Sequence, residues 1–356
     1  MKVTLLKPSD LGPGELEAWS ELRSRDQRFD SPCFSSGFTL AVAQARDDIE
    51  VAILEADGAI RGVFPFHRVR RETAHPVGEI LSEMHGIIAE PGLDWDPLAL
   101  IRQCGLESWK FDHLLASQEQ FQPFHRAIDD SAYMDISGGY DAYLAERRAA
   151  GSSVARNAAR KARKMEREIG PLRFELHDEA AGTLLQLIAL KKEQLRLQGF
   201  SDMFRQPWIG NLMEIVNRTE TAGFSGLLSS LYAGDRLTAI VLNLRSGPVL
   251  ASWIPSFDPA FSRYSPGLVL HLKLAEAASR QGITRIDLGR GENQMKTSLR
   301  SAGIPLALGA VEIGFVRREL TNAWYRARAI AHHPVFSGWP RRTATRLKNA
   351  LKPVET

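Results

Sequence analysis

LLSSLYA (227–233), LTAIVLNL (237–244), VLASWIP (249–255), RYSPGLVLHLKLAEAASRQG (263–282) and ITRIDLGRGENQMKTSLR (283–300) follow one another in the second half of the chain. The first two are strand-like runs joined by Gly234-Asp235, a dipeptide suited to a hairpin turn. A third strand follows after Gly247-Pro248. Pro266 suits the first position of a helix, and Leu268, Leu272, Ala275 and Ala278 recur at helical spacing until Gly282 stops it. Another strand and a short polar helix complete a β-β-β-loop-α-β-α unit. The loop carries the chemistry. First-turn amides of a helix lack intrahelical partners, and small residues let a ligand approach the backbone. Ser265, Gly267 and Leu268 are therefore candidate amide donors to a pyrophosphate, although Ser-Pro-Gly at a helix start is also an ordinary cap.

Working outward, the chain divides in two. The second half reads strand 172–177, helices 179–198 and 207–223, hairpin 226–245, strand 248–255, helix 266–281, strand 283–288, helix 291–301 and strand 304–316. The first half reads strand 2–7, helices 13–28 and 36–47, hairpin 50–67, strand 79–89, helix 95–104, strand 109–116, helix 118–128 and strand 133–136. Both halves give β-α-α-β-β-β-α-β-α-β, a topological repeat without sequence repeat. Where the second half has its Ser-Pro-Gly loop, the first has HGIIAEPGLDWDP (85–97), whose Glu90, Asp94 and Asp96 would repel phosphate. Only the second half is expected to bind a cofactor.

The 356 residues suffice for two domains, and 44% hydrophobic with 24% charged residues describes a packed protein. No run approaches the roughly 18 apolar residues of a membrane span, and MKVTLLKPSD has no signal-peptide core. The expected setting is cytoplasmic. Cys33 and Cys104 match no metal or redox spacing and read as buried thiols.

The net charge of +3 is unevenly spread: residues 147–168 and 317–356 carry positive excesses of six and seven, leaving the remainder near −10. In GSSVARNAARKARKMEREIGP, a helix over 152–169 places Arg156, Arg160, Arg163, Lys164 and Arg167 on one stripe, opposite Ala158, Ala162, Met165 and Ile169. The stripe is a solvated face or a surface for an anion: a lipid- or nucleotide-linked sugar, or the phosphates of a cofactor. The 317–356 tail reads as two basic helices interleaved with Trp324, Tyr325, Phe336 and Trp339. It suits peripheral contact with the inner membrane face, RNA, or simple docking.

The stretch Phe224 to Leu299 resembles the acetyl-CoA-binding half of the GNAT acyltransferase superfamily. YSPGLVLHLKLAEAASRQG and IDLGRGENQMK are similar to the branch associated with bacterial cellulose and exopolysaccharide biosynthesis, itself related to Fem-type transferases. The resemblance is clearest over residues 145 to 315. It implies two tandem GNAT-like α/β domains with mixed central sheets: a degenerate one at 1–145, and an acyl-CoA-binding one at 146–316 that includes the basic helix. The basic helices of 317–356 follow. It also implies attack of an amine or hydroxyl on a bound thioester. VLASWIP would lie along the acyl arm, with Ser252 a polar position among apolar neighbours and Trp253 and Ile254 beside the cofactor. Arg263 stands ahead of the loop, where the family is richer in glycine. Asp287, Gly289, Gly291 and Lys296 match recurring positions of the family. Asp287 or Glu292 would take the acceptor's proton, while Arg290 and Lys296 would hold an anionic acceptor or the thiolate; a surface ion-pair cluster is the alternative. The branch often has tyrosine where this chain has Met295, and a thioether donates no proton.

Arg205 and Trp208, before a helix, are candidates to line the acceptor pocket together with Arg160 and Lys164. No HxxxH or HExxH pair, Walker loop or nucleophile elbow is present, and no metal is expected. The expected function is acetyl transfer from acetyl-CoA, or another acyl-CoA, to a sugar or amino sugar in polysaccharide or envelope synthesis. The rivals are Fem-type aminoacyl transfer from aminoacyl-tRNA and a non-catalytic scaffold of polysaccharide synthesis.

Overall fold

The computed structural model describes residues 1–291, 293–314 and 319. Glu292 and the expected tail helices lie outside the described residues. The strands are β1 (Lys2–Leu6), β2 (Ile49–Ala56), β3 (Ala59–Arg70), β4 (Thr73–His75), β5 (Ile88–Ala89), β6 (Ser108–Leu115), β7 (His125–Asp135), β8 (Leu172–Glu175), β9 (Ser225–Ala233), β10 (Arg236–Ser246), β11 (Val249–Phe257), β12 (Arg285–Arg290) and β13 (Ala302–Glu312). The α-helices are α1 (Pro13–Ser24), α2 (Ser36–Ala45), α3 (Pro97–Gln103), α4 (Tyr140–Ala149), α5 (Val154–Glu168), α6 (Thr183–Gln198), α7 (Pro207–Arg218), α8 (Pro266–Ser279) and α9 (Gln294–Leu299). Among the described residues all strands join one mixed sheet in the order β1-β2-β3-β4-β6-β13-β7-β12-β11-β10-β9-β8, with β5 added beside β3.

Local chemistry explains most elements. Asp57 and Gly58 both hold positive φ, 53° and 76°, the conformation that closes the β2–β3 hairpin with the right twist. Pro266 opens α8, and Asn293 caps α9 by accepting the Lys296 amide at 2.9 Å.

Two expectations are corrected. The strand read over 79–89 is instead a turn, Glu79–Leu81, entered through Gly78 at φ 80°, and only Ile88–Ala89 is extended. The helix read over 118–128 stops as a short turn, Glu119–Phe124, and β7 begins at His125. Its polar segment Arg126–Asp130 carries no strand signal. Pairing with β13 along Ala127–Asp130 imposes extension on it.

The halves exchange elements. β13, the last strand of the second half, inserts antiparallel between β6 and β7 of the first, while β7 pairs with β12 of the second. Helix α2 also crosses over: Phe38 packs with Leu187, Leu212, Phe224 and Trp253 on one face of the second-half strands. The opposite face is covered by α4, α5 and α8 through Tyr143, Met165, Leu270 and Leu274. Exposing Phe38 or Phe224 by parting the halves would cost about 1.5–3 kcal/mol per side chain.

Candidate active site

The parallel strands β11 and β12 pair only at Val249↔Arg285, Leu250↔Ile286 and Ala251↔Asp287. Beyond that point β11 follows β10 as far as Phe257, whereas β12 bulges between Asp287 and Gly289 and follows β7. Ser252, Trp253 and Ile254 therefore edge a gap whose other side is Leu288 to Arg290. Helix α8 begins just after β11.

A half-buried set of charges gathers at the β12 side. The Glu83 carboxylate rests against Gly289, where a Cβ would lie 2.9 Å from Oε1, and its Oε2 is enclosed with no hydrogen-bond partner among the described residues. Lys296 Nζ donates to Gly289 O at 3.0 Å and Arg290 O at 2.8 Å, and Lys191 Nζ donates to Pro255 O at 3.1 Å. Burial pushes the Glu83 carboxyl up to about 8, Asp287 adds to the rise, and Lys296 and Lys191 oppose it. Burial lowers both lysines, against the pull of Glu83. A carboxyl whose proton loss is moved up to about 8, with two ammonium groups at hand that favour its ionised form, can act as a general base once deprotonated.

On the α8 side, Ser252 Oγ and His271 Nε2 are 2.9 Å apart, and His271 Nδ1 is 2.7 Å from Gly267 O. Both side chains are buried, and burial lowers the His271 pKa, so the ring is neutral. The carbonyl can only accept. Nδ1 therefore carries the ring proton, and Nε2 accepts from the Ser252 hydroxyl.

The loop ahead of α8 is tightly built. Ser265 holds φ 51°, its amide donates to Ser262 O at 3.0 Å, and the Leu268 amide donates to Ser265 O at 3.0 Å. Of the three expected amide donors, Gly267 is the one those bonds leave for a ligand. Helix α5 flanks this loop. Lys161 donates to Arg263 O, Tyr264 OH donates to Glu168 at 2.8 Å, and Lys164 lies 6.0 Å from the Tyr264 ring. Arg263 reaches Glu168 at 3.4 Å while remaining exposed, as are Arg156, Arg160, Arg163 and Arg167. The basic stripe thus rims the loop.

Other expected residues have different neighbours. Asp287 is buried and held by Arg285 at 2.8 and 3.4 Å. Burial raises its pKa against that pairing, and the carboxylate is committed to the ion pair. The Trp253 indole donates to Leu81 O at 2.7 Å, anchoring the turn that delivers Glu83, and Ile254 is core. Arg290 donates to Asp112 O and sits 4.0 Å from Asp129. Trp208 stacks 4.6 Å from the Arg46 guanidinium and donates to Gln206, and Arg205 is exposed. Glu292 lies outside the described residues.

Glu83, Lys191 and His271 were not legible as site residues. Glu83 sits in ILSEMHGII, a run dominated by apolar residues, and its one signal was a carboxylate in that setting. His271 is flanked by Leu270 and Leu272 in an apolar helix.

Residues 152–297 match the model of the acetyltransferase (GNAT) domain. No curated protein matches the chain significantly. Among solved structures, the chain is similar to FemX, with 11% identity, 90% of this chain and 100% of that one covered, and a TM-score of 0.59. It is similar to L-PGS from Bacillus licheniformis, with 12% identity, 89% and 97% covered, and 0.52. It is also similar to a tandem GNAT protein from the clavulanic acid biosynthesis pathway, with 10% identity, 88% and 99% covered, and 0.51. Across its two halves this chain has the GNAT fold, and the match to the acetyltransferase (GNAT) domain model lies in its second half.

Proposed function

We propose that the protein transfers an acyl group, acetyl in the first instance, from acyl-CoA to a sugar or amino sugar used in polysaccharide or envelope synthesis. One observation carries the reading: the parting of β11 from β12 beside the start of α8, with the Glu83 carboxylate enclosed at its edge. Acyl-CoA supplies a thioester carbonyl there. The Gly267 amide and the α5 stripe, Arg160 and Lys164 included, suit its phosphates. Main-chain amides of β11 beyond Ala251 are free of β12 and suit the thioester oxygen. Lys191 and Lys296 favour ionised Glu83, which takes a proton of an ammonium acceptor. Arg290, Asp112, His113 and Asp129, near the end of β12, suit the hydroxyls of a sugar.

Calorimetric titration with acetyl-CoA tests the reading, on the wild type and on Gly267→Asp. A Cβ at Gly267 meets only Met295 Sδ, at 3.7 Å, and an acidic residue favours a helix start, so the variant folds. Binding lost in the variant supports the loop; no binding by either protein rejects an acyl-CoA donor. A second reading, aminoacyl transfer from aminoacyl-tRNA at the same site, draws on the four exposed arginines of α5. It predicts tRNA affinity that falls steeply with salt and is lost on charge reversal of that stripe.

A further inference from the structure

From the Ser252–His271–Gly267 chain of hydrogen bonds we infer that Ser252 is a nucleophile, and that transfer passes through an acyl ester on its Oγ. The inference rests on the acyl-CoA reading above. Ser252 is the first β11 residue beyond the last pair with β12, so it stands where the strands part. Its hydroxyl donates to the lone pair of a neutral imidazole whose other nitrogen is fixed by a main-chain carbonyl. A hydroxyl, a base and an orienting group in this order form the arrangement that activates a serine. A buried histidine needing only satisfaction could have bonded any acceptor. This one receives the proton of a hydroxyl at the gap.

The proton inventory points the same way. A departing thiolate must be protonated, and Met295, half-buried near Gly267, has no proton to give. In the first step Ser252 Oγ bonds to the thioester carbon, its proton passes to His271 Nε2, and the C–S bond breaks. The imidazolium then protonates the thiolate, leaving acyl-Ser252 and free CoA thiol. In the second step Glu83 removes the first proton of an ammonium acceptor. The amine attacks the ester carbon and the C–O bond breaks. The amine's second proton passes through His271 Nε2 to Ser252 Oγ, and Glu83 releases the first to solvent, restoring the resting state. A hydroxyl acceptor gives its single proton by the His271 route.

The test uses the full chain with acetyl-CoA and no acceptor. Exchange of isotopically labelled CoA into acetyl-CoA is followed, with rapid-quench mass measurement of the peptide containing Ser252 and calorimetry for binding. The expected result is exchange and one acetyl group on Ser252 in the wild type. Ser252→Ala should lose both while still binding acetyl-CoA, and His271→Gln should bind but exchange more slowly by roughly 10²–10⁴-fold. Acetyl-CoA binding with neither exchange nor adduct overturns the covalent step and leaves the acyltransferase reading intact. Absence of acetyl-CoA binding overturns that reading itself, and this inference with it.

Discussion

Glu83 and Gly289, which belong to different halves of the chain, meet so closely that a single methyl group on Gly289 would stand 2.9 Å from Glu83 Oε1. The bulge at Gly289 takes β12 away from β11, and the bare Cα at that bulge admits the carboxylate. Trp253 secures the arrangement from the other strand through the Leu81 carbonyl.

Replacing Glu83 with glutamine keeps the shape and removes the base. Acetyl transfer in this variant is expected to fall by roughly 10²–10⁴-fold. Its acetyl-CoA affinity, read by calorimetry, should stay at the wild-type value. Wild-type turnover in Glu83→Gln would remove Glu83 from the mechanism.

The pH profile follows from the raised Glu83 pKa. The carboxyl acts only after losing its proton, and its enclosure moves that loss up to about 8. The rate should therefore climb with pH through that region and level off above it, and Glu83→Gln should lose this limb. Lys296→Met removes a cation that favours the carboxylate, so the limb should move to higher pH. An acid-side limb at the ordinary carboxylate range would contradict the assignment.

Gly289→Ala tests the close approach directly. The residue has φ 77°, so any side chain is strained there, by about 1 kcal/mol, before it meets the carboxylate. Denaturant unfolding should show a loss at or above that size, with turnover reduced in the fraction that remains folded. Full stability together with full activity would mean that Glu83 has room to withdraw.

Charge reversal at Arg160 and Lys164 addresses the rim of the loop. Both lie on the α5 stripe and contribute little to the core, so stability should hold. The acetyl-CoA KM should rise several-fold at low salt, and the difference should shrink toward 1 M salt, where the screening length is about 3 Å. A KM that ignores both the substitution and the salt would assign the stripe to plain solvation.

Much of the scaffold was written locally. The β9–β10 hairpin at Gly234-Asp235, the start of α8 at Pro266 and the basic stripe on α5 all follow from turn chemistry, capping and periodicity. These depend on neighbours a few residues apart, which a sequence displays. Of the loop residues read from the sequence, the structure leaves the Gly267 amide outside the loop's own bonds, while the Ser265 and Leu268 amides are engaged within the loop.

What only the tertiary structure decided lies between distant segments. Helix 118–128 gave way to β7 because β13 offered His125–Ile128 a pairing partner. Strand 79–89 became a turn because Trp253 and Gly289 receive Leu81 and Glu83. The proton-handling groups Glu83, Lys191 and His271 came from three separate elements, and their altered pKa values arise from burial and mutual charge. The sequence by itself determined the mixed α/β class, the turn that opens α8 and the basic helix. The exchange of β7 and β13, and the cluster of titratable groups beside it, required the fold, because enclosure and charge coupling are properties of positions in space.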